Sequence, residues 1–207
     1  MSYDAETYLA KGKIACEQKQ WNDAILFYTK AIEIDPKRAE TYLQRGDVYG
    51  YQRDYDKAIA DFTEAIRVDS QFSKAYYFRG SAYHDIRDYE KAISDFTIAI
   101  ELEPNTANYY HDRGCNFALQ NDHDKAIVDF TKAIELAPDF SKAFNQRGTS
   151  YYFKCDYDKA VADFIKAIQL NPKYALAYHS LWVTLRDKGD DTNARAVLRK
   201  ARELGFE

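Results

Sequence analysis

Four near-copies of one twelve-residue segment recur along this chain at a constant interval. YDKAIADFTEAI begins at Tyr55, YEKAISDFTIAI at Tyr89, HDKAIVDFTKAI at His123 and YDKAVADFIKAI at Tyr157, each 34 residues after the last. A repeat of that length is one supersecondary unit that cannot cover its own apolar face, so the chain has to stack such units side by side. Extending the frame gives six units, 5–38, 39–72, 73–106, 107–140, 141–174 and 175–207. Within a unit, apolar residues fall at positions 4, 8 and 11 and again at 20, 24, 27 and 28. These spacings of three and four predict two amphipathic helices per unit.

The breakers fit the same frame. All four prolines, Pro36, Pro104, Pro138 and Pro172, occupy position 32, where a proline ends the second helix. Asp54, Asp88, Asp122 and Asp156 at position 16 are predicted to cap that helix at its start. Gly12, Gly46, Gly80, Gly114 and Gly148 share position 8, and alanine fills positions 20 and 27 in every unit. A glycine inside a helix costs about 0.5–1 kcal/mol, so its recurrence opposite a small alanine predicts two helix backbones in close approach. With only 8 glycines and 4 prolines in 207 residues, the composition argues against an all-β or loop-rich fold, because many short strands need many turn residues.

Twelve of the 18 tyrosines sit at positions 4, 11, 17 and 24, among them Tyr8, Tyr42, Tyr76, Tyr110 and Tyr178. Recurrence on the apolar stripe reads as a core packing ladder rather than a stacking surface for bases or sugars. Arg45, Arg79, Arg113 and Arg147 take position 7 in the units where Asp61, Asp95, Asp129 and Asp163 take position 23. Units one and six lose both charges together, with Lys11 and Phe27 in one and Leu181 and Val197 in the other. Both positions adjoin the apolar stripes, where an unpaired charge is costly, so a ladder of Arg–Asp pairs is predicted.

The pattern resembles the tetratricopeptide repeat family. Unit three supplies Tyr76, Gly80, Tyr83, Ala92, Phe96, Ala99 and Glu103-Pro104 at that family's characteristic positions. Units two, four and five match nearly as well, with Ser70 in place of proline in unit two. Units one and six depart most, through Ala15 at position 11, Trp182 at position 8 and Leu198 at position 24. The resemblance covers 5–207 and implies one all-α domain, a right-handed superhelical solenoid of helix–turn–helix units. It also implies a protein–protein interaction module or scaffold that holds a peptide or helix of a partner protein in a concave groove.

In the family the first helices line that groove, mainly through positions 2, 5, 9, 12 and 13. In the first three units the candidate partner-binding residues are Lys13, Leu43, Asp47, Tyr51, Lys74, Tyr77, Ser81 and His84. In the last three they are His111, Cys115, Lys142, Asn145, Thr149, Tyr152, Phe153, His179 and Arg186. Tyr51, Tyr77, Tyr152 and Phe153 are aromatics that core packing does not explain, and such residues suit an extended or helical ligand. The alternative reading is a self-assembly module that works through the ends or convex face of the array.

Other partners find less support. One branch of the family grips chaperone C-terminal carboxylates with Lys at position 5 and Asn at position 9, and no unit here has that pair. Chaperone tails are therefore not expected. His111 and Cys115 share a helix face, with His84 on the preceding first helix, but they read as polar groove contacts, so no metal and no cofactor are expected. A catalytic Cys–His pair needs an orienting third group and a water-excluded pocket, and the repeat pattern offers neither; no enzyme is expected. With 29 basic against 33 acidic side chains, nothing points to nucleic acid. No apolar run approaches the about 18–20 residues that span a bilayer, so membrane insertion is not expected.

The N-terminus lacks the plan of a secretory signal. The three cysteines, Cys16, Cys115 and Cys155, form neither a disulfide framework nor a Cys-x-x-Cys site. A cytoplasmic setting is the expectation. The last helix reads as sixth unit and cap combined, with Arg195, Arg199, Lys200 and Arg202 beside Val197, Leu198 and Leu204, and Gly205 closing it. It leaves weak end-to-end self-association open.

Overall fold

The computed structural model describes residues 4–203 and Gly205, so Leu204 lies outside the described residues. The chain divides into two compact units, Met1–Pro104 and Asn105–Glu207. The first contains α1 (Ala5–Glu17), α2 (Trp21–Ile34), α3 (Ala39–Tyr51), α4 (Tyr55–Val68), α5 (Ser73–Asp85) and α6 (Tyr89–Leu102). The second contains α7 (Ala107–Leu119), α8 (His123–Leu136), α9 (Ser141–Phe153), α10 (Tyr157–Leu170), α11 (Ala175–Asp187) and α12 (Asp191–Glu203). Helices pair as α1/α2, α3/α4, α5/α6 and α7/α8, α9/α10, α11/α12, one hairpin per 34-residue frame. In each unit a second helix also packs on the next first helix, and first helices touch, as α3 does α5 and α9 does α11. This is the all-α array of tandem helix hairpins that the periodicity predicts.

The predicted caps are present. Asp54, Asp88, Asp122 and Asp156 each accept a hydrogen bond from the backbone N–H three residues on. The lysine at that same position returns its ammonium to the carboxylate at 2.6–2.7 Å. That hydrogen bond holds all four carboxyls below the usual aspartate range. Asp190 plays the same part for α12, accepting from the Asn193 N–H at 3.2 Å.

Between the two helices of each hairpin, one residue adopts left-handed backbone. Position 15 is Lys19, Arg53, Arg87, Asn121, Cys155 and Gly189, with φ of 58°, 61°, 64°, 62°, 60° and 86°. A residue with a Cβ is strained there by about 1–2 kcal/mol, while glycine is not, although glycine gives back part of the gain as chain entropy. Arg87→Gly, at an exposed site, is therefore expected to raise stability by about 0.5–1 kcal/mol. A urea midpoint at or below wild type would contradict this account of the turn.

The rings at position 24, Tyr28, Phe62, Phe96, Phe130 and Phe164, form the buried centre of their hairpins. They also explain the glycines. A Cβ on Gly46 would come within 2.6 Å of the Phe62 ring, and one on Gly80 within 3.0 Å of Phe96. The expected backbone approach is thus secondary. The space is kept mainly for a ring, with the Ala92 and Ala160 carbonyls next, at 3.3 Å from the Gly80 site and 3.2 Å from the Gly148 site.

The tyrosine ladder needs a similar correction. Of its twelve members only Tyr28 and Tyr42 are buried; the others are partly exposed. Their ring faces carry cations instead, for example Arg79 over Tyr76 at 5.7 Å and Lys91 over Tyr83 at 5.2 Å. Tyr109, outside the ladder, is buried.

The Arg–Asp ladder forms as two-pronged pairs. Arg45 Nε and Nη2 donate to Asp61 at 2.7 Å, and Arg79, Arg113 and Arg147 donate to Asp95, Asp129 and Asp163 at 2.8 Å. All four carboxylates are buried. A third prong crosses to the preceding hairpin, where Nη1 of Arg45, Arg79 and Arg147 donates to Thr29, Thr63 and Thr131 at 3.0–3.1 Å. Thr63 in turn donates to the Ile59 carbonyl at 2.7 Å, which leaves its oxygen free to accept. Threonine fills position 25 in the first four repeats and Ile165 in the fifth, just ahead of the sixth repeat that has Leu181 for arginine.

Candidate functional site

The first helices carry most of the candidate residues. In Met1–Pro104 a cleft of about 320 Å³ opens between α3 and α5, lined by Asp47, Gly50, Tyr51, Tyr55, Phe62, Phe78, Ser81, Ala82 and Asp85. Tyr51 is 69% exposed, and its ring stacks on Trp21 at 5.5 Å. Burial raises the Asp47 carboxyl above its usual range. Neither Asp47 nor Asp85 has a hydrogen-bond or ion-pair partner among the described residues. The Ser81 hydroxyl is committed to the Tyr77 carbonyl at 3.0 Å.

Around this cleft, Tyr77 lies edge-on to Phe78 at 5.5 Å, and His84 is tilted against Tyr89 at 5.9 Å. Lys74 is exposed, and Lys13 approaches Glu40 at 4.0 Å. Leu43, expected to line the binding face, is only 4% exposed. It is packed into the core with Tyr42 and Phe62 and offers no contact surface.

In Asn105–Glu207 the first-helix face is less acidic. Phe153 is 61% exposed and stacks on His123 at 4.9 Å. The Tyr152 hydroxyl donates to Asp187 at 2.6 Å, and that bond holds the Asp187 carboxyl down. Thr149 donates to the Asn145 carbonyl at 2.9 Å. His179 is tilted against Trp182, over which Arg186 also sits, at 5.2 Å; burial lowers the imidazole's pKa. Lys142 is exposed. Asn145 is fully buried beneath its neighbours and is not available to a partner.

His111 and Cys115 meet as their spacing implies, with Nε2 3.9 Å from Sγ. The orienting group absent from the repeat pattern is supplied by Asp112, whose Oδ1 is 2.7 Å from His111 Nδ1. Gln146 Nε2 also donates to the sulfur at 3.7 Å, and the imidazole stacks on Phe140 at 4.8 Å. Burial opposes the imidazolium, but the bonds to Asp112 and Cys115 outweigh it and bring its pKa to about 9. Among the described residues, no group of three His, Cys, Asp or Glu side chains is arranged to hold a metal ion. No described helix is long and apolar enough to cross a membrane.

Models of the tetratricopeptide repeat match residues 43–107, 107–140 and 141–174, and a TPR repeat model matches 12–52. The chain belongs to the tetratricopeptide repeat family. A solved structure of MamA is 30% identical, with a TM-score of 0.75, and the alignment covers 83% of this tetratricopeptide repeat chain and 93% of that one. YrrB, described as a TPR protein with an unusual peptide-binding site, is 27% identical, with a TM-score of 0.74 and coverage of 86% and 91%. PilF of Pseudomonas aeruginosa shares the fold at 17% identity, with a TM-score of 0.83 and coverage of 97% and 91%. Curated protein sequences give no match.

Proposed function

We propose that this tetratricopeptide repeat protein is an interaction module that holds an extended peptide or helix of a partner protein on its first-helix faces. The observation that carries the reading is the α3–α5 cleft. Its walls are aromatic and its rim holds two carboxylates, Asp47 and Asp85, without partners of their own. A desolvated carboxylate without a counter-charge is a standing cost that a ligand's ammonium or guanidinium removes, while the ligand's methylene stem lies on the Tyr51 ring. The Met1–Pro104 unit carries 14 basic and 19 acidic side chains against 15 and 14 in Asn105–Glu207, which favours a basic segment as the occupant of the first. The peptide-binding site described for YrrB adds support by likeness.

A second reading, self-assembly, is favoured by α12, whose outer side exposes a hollow lined by Arg195, Leu198, Arg199, Arg202 and Glu203. Fluorescence anisotropy with labelled Lys/Leu and Glu/Leu peptides of equal length separates the readings when particle mass is followed in parallel. The expected result is capture of the basic peptide alone, weakened about tenfold by Asp47→Asn with Asp85→Asn, with an unchanged monomer mass. Equal binding by the double variant would refute the cleft, and a mass that grows with concentration would favour assembly.

A further inference from the structure

We propose that Cys115 is a reactive thiol, activated by His111 with Asp112 behind it, and that it undergoes thiol–disulfide exchange with small disulfides. The geometry is that of an activated nucleophile. Asp112 Oδ1 at 2.7 Å takes the Nδ1 hydrogen of His111, which turns Nε2 toward the Cys115 sulfur at 3.9 Å. Phe140, stacked at 4.8 Å, and Phe130, at 5.8 Å, hold the ring between them. The Gln146 amide donates to the same sulfur at 3.7 Å, a bond that favours thiolate over thiol. The preference of His111 for its protonated form agrees with a thiolate–imidazolium pair.

The other two cysteines are built differently. Cys16 lies 3.5 Å from the Tyr28 hydroxyl, and Cys155 sits exposed on a hairpin turn beside Tyr157; neither has an imidazole at its sulfur among the described residues. Cys115 is partly exposed, which leaves it open to a small reagent.

In the exchange, the Cys115 thiolate, its proton already held on His111 Nε2, attacks one sulfur of the disulfide. The old S–S bond breaks as the Cys115–S bond forms. The departing thiolate takes the proton from the imidazolium, leaving a mixed disulfide, a free small thiol and a neutral histidine. The small disulfide is the oxidant, and a second small thiol reverses the step.

At pH 7 an ordinary thiol of pKa about 8.5 is only about 3% thiolate. Full ionisation of Cys115 would therefore offer about thirtyfold, cut to about threefold because a more acidic thiolate is a weaker nucleophile, with a Brønsted slope of about 0.4–0.5. The test uses the full chain with dithiobisnitrobenzoate as the probe. Cys115 is left as the sole cysteine in Cys16→Ser/Cys155→Ser, and Cys155 is the sole cysteine in the Cys16→Ser/Cys115→Ser control. The expected result is that Cys115 reacts about threefold faster near neutral pH, with a rate that levels well below the ordinary thiol range. His111→Gln should return the rate and its pH profile to those of Cys155, and Asp112→Asn should move both part of the way.

The groups facing the pair are Asp112 from α7, the neutral Phe130 and Phe140 rings, Gln146 from α9, and the Tyr174 hydroxyl, whose ionisation burial and Cys115 both oppose. Thiolate ultraviolet absorbance of the Cys115-only chain supplies a second readout that needs no His111 variant. A Cys115 no faster than Cys155, or absorbance that appears only near about pH 8.5, overturns the proposal.

Discussion

Replacing Asp95 with alanine is expected to lower folding stability by about 3–5 kcal/mol, read as a fall in the urea midpoint. The substitution leaves the Arg79 guanidinium, only 18% exposed, without the carboxylate that accepts two of its hydrogen bonds at 2.8 Å. The remaining hydrogen-bond partner, Thr63, is neutral and meets only Nη1, and the Tyr76 ring beneath the guanidinium is neutral too. An uncompensated charge in that position costs far more than the net worth of the pair. Replacing both partners, as Arg79→Leu with Asp95→Leu, should therefore recover most of the loss. The partly exposed cap Asp54 provides the contrast, because Asp54→Ala should cost only about 1 kcal/mol. Equal losses for Asp95→Ala and Asp54→Ala would show that the ladder is no more than a surface pair.

Two alanines placed one helical turn apart should act with opposite signs. At Gly46 the new methyl would lie 2.6 and 2.9 Å from Phe62 ring carbons and 3.2 Å from Asp61 Cβ. That ring is buried against Tyr42 and Ala58, so it cannot swing aside. Overpacking of this kind costs about 1–3 kcal/mol, more than the gain in helix propensity. At Gly50 nothing lies within 4 Å of a built Cβ, so Gly50→Ala should stabilise α3 by about 0.5–1 kcal/mol. Thermal or urea unfolding of the two variants tests the pair, and a stabilising Gly46→Ala would mean that the Phe62 ring has room to move.

Much of the array is legible because the chain aligns with itself. Six copies of one frame turn single residues into columns, and the Arg and Asp columns vanish in the same two repeats. Other features leave no such mark. Position 15 holds five residue types across six hairpins, because the turn tolerates a strained backbone wherever the helices on either side impose it. The threonine at position 25 is small and polar, and only its oxygen shows that it serves the arginine of the following repeat. Spacing places Leu43 and Asn145 on the correct helix but not at the correct depth, which depends on how the next helix seats against them. Asp112 escapes for a related reason. Adjacent residues do not share a helix face, so no spacing rule pairs it with His111.

The three-pronged arginines also set how the hairpins communicate. Each one ties its own hairpin to the one before, so melting one repeat strips a buried charge in the next of part of its shell, and the loss propagates. Between the fifth and sixth repeats that tie is missing, because Ile165 and Leu181 can offer only apolar contact. The sixth hairpin, held to the fifth by apolar contact without that tie, is therefore expected to open first, with amide protons of α11 and α12 exchanging faster than those of α9 and α10.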